Sequence, residues 1–146
     1  RTATQPLYVR AALQEFYFGE QRKASFTLSR PGAEPVELAL ALVCNADPWT
    51  YLVERPVRPC PDASFDTGLD VMGLTTTRTT STLRTLRQIL AKGGRPHGKH
   101  VVSLHDIPEM TLEATMPLPF QVDGDLVGDR DRVHLVSVPS ALDVMV

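Results

Sequence analysis

Residues 23–44 read KASFTLSRPGAEPVELALALVC. Ala24, Phe26 and Leu28 alternate with Ser25, Thr27 and Ser29, the period of two expected of a strand with one buried face. Arg30-Pro31-Gly32-Ala33-Glu34 has the composition of a turn. Val36 to Cys44 is then long and apolar enough for a central strand. The stretch predicts a β-hairpin.

Toward the N-terminus, Leu7, Val9, Leu13, Phe16 and Tyr17 have roughly helical spacing, with Pro6 suited to a helix start and Gly19 to its stop. Toward the C-terminus, Asn45 to Phe65 holds Pro48, Pro56, Pro59 and Pro61 and reads as ordered loop with a short strand or two. Leu69 to Leu74 reads as a strand. Thr79 to Ala91 is a helix by its Leu83, Leu86 and Leu90 stripe, widened by Ile89, capped by Thr79 or Ser81 and closed by Gly93-Gly94. Short strands are expected at Val101–Leu104, Met110–Ala114, Pro119–Val122, Asp125–Val127, Val133–Val138 and Leu142–Val146, with Asp123-Gly124 as the clearest hairpin turn. The expected fold is mainly β (α+β): one two-layer β-sandwich-like domain over residues 1–146, with an N-terminal helix and one internal amphipathic helix.

With 146 residues, 42% of them apolar, the chain is long enough for one domain with a real core. A net charge of −2 selects no partner. Cys44 and Cys60 belong to no CxxC pair and read as two free thiols, a disulfide being possible but unsupported. The longest uncharged apolar run, Leu38 to Cys44, is far short of the ~20 residues needed to span a bilayer. Arg1-Thr-Ala-Thr lacks the pattern of a signal peptide, and the absence of an initial Met leads us to expect a fragment or a trimmed product.

Charge is unevenly spread. From Val71 to His105 there is no acid, while Arg78, Arg84, Arg87, Lys92, Arg95 and Lys99 fall there beside His97, His100 and His105. That surface could meet an anionic membrane or phosphate, although a solvated face with acids paired from elsewhere is the plainer reading. Asp123, Asp125, Asp129 and Asp131 invite a calcium-loop reading, which fails because Val127 and His134 stand where liganding oxygens belong. There is no phosphate-cradling GxxxxGK[ST] or GxGxxG and no GxSxG elbow. His97 and His100 lack close Cys or His partners for zinc. Basic residues without interleaved aromatics argue against single-stranded nucleic acid as a partner.

Read in order, these segments match a family. Arg58-Pro59-Cys60-Pro61-Asp62-Ala63-Ser64-Phe65-Asp66-Thr67-Gly68-Leu69-Asp70-Val71 resembles the "aPdAsldDGllDv" segment of the diacylglycerol kinase and YegS-like lipid kinases. Phe120-Gln121-Val122-Asp123-Gly124-Asp125 is similar to that family's "vDGE" element, and residues 136–146 to its closing strand pair. The resemblance implies the C-terminal, lipid-acceptor domain, since the Gly-Gly-Asp-Gly-Thr motif of the family's N-terminal nucleotide-binding domain is absent from the sequence. It implies ATP and Mg2+ as cofactors, a lipid hydroxyl as acceptor, diacylglycerol first among them, and peripheral placement on the cytoplasmic side of a membrane. The implied partners are the nucleotide-binding domain and a second copy of the chain, since family members often dimerise.

The resemblance also assigns residues. Asp125 falls where the family carries the Glu proposed as base, and its carboxylate would sit roughly 1.5 Å further back. Asp123 is the second candidate, with a turn role as its alternative. Asp66 and Thr67 fall where Asp-Asp holds a structural magnesium, and a Thr hydroxyl is a poor substitute for a carboxylate. We therefore expect that site to be weakened or absent. Asp62, Asp66 and Asp70 remain as turn-capping acids. Trp49, Tyr51, Leu52 and Val53 stand where family members carry a Gly-rich stretch; they either dip into a membrane interface or pack on the core.

Overall fold

In the computed structural model, residues 25–138 are described. Nine strands and one helix follow in order: β1 (Phe26–Ser29), β2 (Val36–Leu38), β3 (Leu40–Cys44), β4 (Thr50–Leu52), β5 (Arg55–Val57), β6 (Leu69–Leu74), α1 (Thr79–Ile89), β7 (Val101–Ile107), β8 (Glu109–Val122) and β9 (Asp125–Val136). Among the described residues they form a four-stranded sheet ordered β2-β1-β8-β9, a three-stranded sheet β3-β6-β7 and the β4-β5 hairpin, antiparallel throughout. The predicted mainly β sandwich is what forms. The N-terminal helix expected over Pro6 to Phe18 and the strand expected at Leu142–Val146 lie outside the described residues.

The hairpin predicted for residues 23–44 is present as β1 and β2, with Phe26 opposite Leu38. Its second strand does not run through to Cys44. The chain breaks at Ala39 and leaves for the other sheet, where β3 pairs with β6. A strand that changes sheets makes a corner of a sandwich, and it lets one apolar run serve both layers. Leu38 ends up fully buried between the sheets with Leu28, Val71, Ile107 and Met110. Ala41 and Val43 of β3 face that core, whereas Leu40, Leu42 and Cys44 face the opposite side, as period two requires.

On that outer side, Leu40, Leu42, Cys44, Met72 and Leu74 pack against Ile89 of α1 and against Cys60 and Ala63 of the following loop. The three-stranded sheet is thus covered on both faces. β6, at its centre, is consequently buried over nearly its whole length, which explains a strand that reads as a continuous apolar run. Gly73 within it faces Leu38: a Cβ there would lie 2.7 Å from a Leu38 methyl, so the missing side chain makes room for the core leucine.

The helix is real, but its orientation differs from the predicted stripe. Thr85 and Ile89 are the buried residues, while Leu83 (53%) and Leu86 (39%) face solvent. Ile89 alone of the predicted stripe is fully buried. Neither Thr79 nor Ser81 caps the start; Arg78 occupies that position without a side-chain bond. The helix closes as expected, with Gly93 at φ 65° and the Gly94 N–H donating to Ala91 O.

The strands expected at Met110–Ala114 and Pro119–Val122 are one strand, β8, bent where residues 114–117 face Asp131 of β9. Past Ala114, among the described residues, it no longer pairs with β1 and continues with β9 as a two-stranded arm. Pro117 and Pro119 lack ladder donors there, consistent with strand that pairs on one side. Asp123 (φ 52°) and Gly124 (φ 90°) close the arm in the two positive-φ positions of a type I′ turn.

Candidate functional site

The segment from Arg58 to Val71 begins as a loop pinned to the core and ends in β6. Cys60 and Ala63 are its anchors, both buried against Met72 and Leu74. Between Ala63 and Gly68 the chain turns on its own hydroxyls. The Asp66 N–H donates to Ser64 Oγ (3.2 Å), the Thr67 N–H to Ser64 O (3.2 Å), and the Thr67 hydroxyl to Ser64 O (3.1 Å). Gly68 then passes so close to β7 that a Cβ would meet Ile107 O at 2.7 Å, a contact only glycine tolerates.

Opposite this approach lies a β-bulge. Leu69 pairs with Ile107 and Val71 with Leu104, so His105 and Asp106 together face the single residue Asp70. The bulge puts Asp106 at φ 57° and aims both side chains at the loop. The Gly68 N–H donates to Asp106 Oδ1 (2.7 Å). Asp70, only 2% exposed, accepts from the Asp106 N–H (3.1 Å) and from His105 Nδ1 (2.8 and 3.0 Å to its two oxygens). A buried carboxylate needs such partners, since an unpaired one costs several kcal/mol, of the order of the desolvation penalty. The hydrogen bond to Asp70, joined by the charges of Asp70, Asp62 and Asp106, raises the His105 pKa above its ordinary value. Its ring is half exposed, so Nε2 remains available.

Beside it, Arg95 forms a two-bond ion pair with Asp62, through Nη1 to Oδ2 and through Nη2 to Oδ1 at 2.8 Å. That pairing holds the Asp62 carboxyl below the usual range. Arg95 is the one cation of the basic stretch with an ion pair to an acid among the described residues, His105 aside. Arg78, Arg84, Arg87, Lys92 and Lys99 have none there.

The residues assigned by resemblance are placed as two separate pairs. Asp66 is exposed, and the Thr67 hydroxyl is engaged with the Ser64 carbonyl. One exposed carboxylate and one hydroxyl already spent on a backbone oxygen do not fit magnesium, which takes hard oxygens in near-octahedral order. Among the described residues no cluster of three His, Cys, Asp or Glu side chains could hold a metal ion. Asp123 and Asp125 stand at the arm's turn, both exposed, and their carboxylates make no hydrogen bond or ion pair among the described residues. No hydrogen bond or ion pair among the described residues joins the two pairs.

Sequence reading had left Asp70 as a turn-capping acid, and had missed His105, Asp106 and the Asp62–Arg95 pair. An Asp inside an otherwise apolar strand was the available signal for Asp70. Nothing local could name partners 35 and 33 residues away.

Against known proteins, no family model matches the chain and no curated protein does. A solved structure does: a protein from Bacillus anthracis str. Sterne whose own assignment as a diacylglycerol kinase is provisional. It aligns with a TM-score of 0.58 and 13% identity over 90% of this chain. The chain has the fold of the aligned part of that protein. It spans 47% of that protein's length, about half. The diacylglycerol-kinase-like fold therefore accounts for the sandwich and its helix, while at this identity the likeness concerns fold alone.

Proposed function

We propose that this chain is the lipid-acceptor part of an ATP-dependent lipid kinase, working with a nucleotide-binding part that would hold most of the ATP and its Mg2+. The observation that carries the reading is the fold shared over 90% of this chain with half of a diacylglycerol-kinase-like protein. The order of the Arg58–Val71 and Phe120–Asp125 segments supports it. A lipid hydroxyl is a weak nucleophile at neutral pH, and a carboxylate can accept its proton as the phosphoryl group moves. Asp125 is suited to that role because its oxygens are exposed and uncommitted. Asp123 is the neighbouring candidate, tied by its φ of 52° to the turn.

Access to the lipid would come from the β4-β5 hairpin. Trp49 (48%), Tyr51 (54%), Leu52 (37%) and Val53 (82%) are exposed on it, and Val53 forms the two-residue turn with the exposed acid Glu54. Val53 sits at φ 59°, where a β-branched residue is strained and Gly or Asn is the ordinary choice. The Trp and Tyr side chains suit the bilayer interface, where the Glu54 carboxylate would stay at headgroup level. No helix among the described residues is long and apolar enough to cross a membrane. Use of ATP is the ground for proposing peripheral contact on the cytoplasmic face.

A second reading, a non-catalytic lipid-binding relative of such kinases, is favoured by Asp125 in place of Glu and by the donor set at Asp66 and Thr67. Misplacing a catalytic group by about 1 Å can cost on the order of a hundredfold in rate. Phosphorylation of vesicle-borne diacylglycerol, sphingoid base and other lipid alcohols separates the two readings, using the whole natural protein and labelled ATP. Labelled lipid from the wild type, lost in Asp125→Asn, is expected. Vesicle binding without any labelled product would overturn the kinase reading in favour of the second.

A further inference from the structure

A helix that packs on a sheet usually turns its leucines inward. In α1 that place belongs to Thr85 and Ile89, and Leu83 and Leu86 are left in solvent. Residues three and four apart on a helix are neighbours, so Leu83, Leu86 and Arg87 stand together on the outward face. At about 100° per residue the order around the helix is Leu86, Leu83, Arg87, Arg84. An apolar flank therefore passes directly into a basic one. Thr79 and Thr80 are the other exposed residues of the helix, and it carries no acid.

The surroundings extend the basic flank. Arg78, Arg84, Arg87, Lys92 and Lys99 are all exposed and make no ion pair among the described residues. In the 45–68 segment beside the helix, Asp47 is paired with Arg58 and Asp62 with Arg95, which leaves Glu54 and Asp66 as its exposed unpaired acids. Glu109, Glu113, Asp123, Asp125, Asp129 and Asp131 belong to β8, β9 and their turn, in the other sheet. The base of the β4-β5 hairpin adjoins the end of α1: the Arg58 N–H donates to Ile89 O at 3.2 Å, and Val57 packs against the cluster that holds Ile89.

We propose that the outward face of α1 is a docking surface for an anionic lipid bilayer. The helix lies along the membrane, Leu83 and Leu86 enter between the headgroups, and Arg84 and Arg87 meet lipid phosphates while their stems follow the leucines. Cations alone would suit a solvated face, and leucines alone any apolar partner. Their adjacency on one helix face is the pattern of an interfacial helix. Cations spread from Arg78 to Lys99 need negative charge opposite each of them, which an anionic bilayer supplies without a matched arrangement of acids. The proposal deepens the lipid reading above and rests on it for the membrane's place in function, but the docking itself needs neither ATP nor an acceptor lipid.

The test is co-sedimentation of the whole natural protein with vesicles of phosphatidylcholine alone and of phosphatidylcholine with one third phosphatidylglycerol, without diacylglycerol or ATP. Binding is expected to the anionic vesicles only, and to weaken as salt is added. Replacing two cations, Arg84→Gln with Arg87→Gln, should weaken it about 30-fold, at about fivefold for each charge near the surface. Leu83→Ser with Leu86→Ser should weaken it on the order of tenfold while leaving the urea midpoint in place, since both side chains are exposed. Should the leucine variant lose stability, the arginine variant decides by the same readout. Equal binding to neutral vesicles, or binding unchanged in the arginine variant, would overturn the proposal; the latter would mean that another part of the protein occupies this face. Phosphorylation of diacylglycerol in detergent micelles needs no bilayer. Its absence alongside intact vesicle binding would count against the kinase reading alone.

Discussion

The loop from Arg58 to Gly68 and the arm that ends at Asp123-Gly124 are built from the same residue types under opposite conditions. In the loop, Gly68 is required by the backbone of Ile107 at 2.7 Å; in the arm, Gly124 has open space around it and is required by its own φ of 90°. Next to the loop, the Asp70 carboxylate is buried and hydrogen-bonded through both oxygens, whereas the Asp125 carboxylate is exposed and bonded to nothing among the described residues. The difference separates two uses of an acid. A carboxylate that holds the structure has its lone pairs occupied, and one free to take a substrate's proton contributes little to the structure.

The glycines should break that contrast most visibly. Gly68→Ala forces backbone against backbone and is expected to cost about 3 kcal/mol, the upper range for overpacking. Gly124→Ala meets no neighbour and should cost about 1 kcal/mol, the ordinary penalty for positive φ. Urea unfolding of both variants measures this, and equal costs would mean that the loop yields where it touches Ile107.

The carboxylates come next. Asp70→Ala leaves the part-buried Asp106 N–H without its acceptor and removes the His105 partner, so a loss of about 1–2 kcal/mol is expected. Asp125→Ala should change stability by no more than about 0.5 kcal/mol, as at other unpartnered surface positions. A substantial loss at Asp125 would show that the arm's tip is structurally committed, and would count against its use as a base.

The smallest effect sharpens the comparison without breaking it. By NMR, His105 should titrate above the ordinary value of about 6.5, and Asp70→Asn should return it toward that value. A raised pKa in the folded state means that His105 adds stability below its unfolded pKa and loses that contribution as pH rises through the folded midpoint. The stability difference between wild type and His105→Ala should therefore shrink as the solution becomes alkaline. A midpoint at or below the ordinary value would show that the Asp70 bond does not persist in solution.

What could be read from the residues was whatever depends on near neighbours. β1 by its alternation, β6 by its apolar run, the helix by its length and its Gly93-Gly94 stop, and the arm's turn by Asp123-Gly124 all follow from local geometry. The tertiary structure decided the rest. It broke the run from Val36 to Cys44 at Ala39, because two sheets had to share it. It turned Thr85 inward and Leu83 outward, because packing against the sheet, and not the richest stripe, sets which helix face is covered. It also brought Asp70 to His105, Asp62 to Arg95, and Cys44 and Cys60 into one buried cluster. Those contacts arise from strand pairing and layer packing between distant segments, a relation that no window of sequence contains.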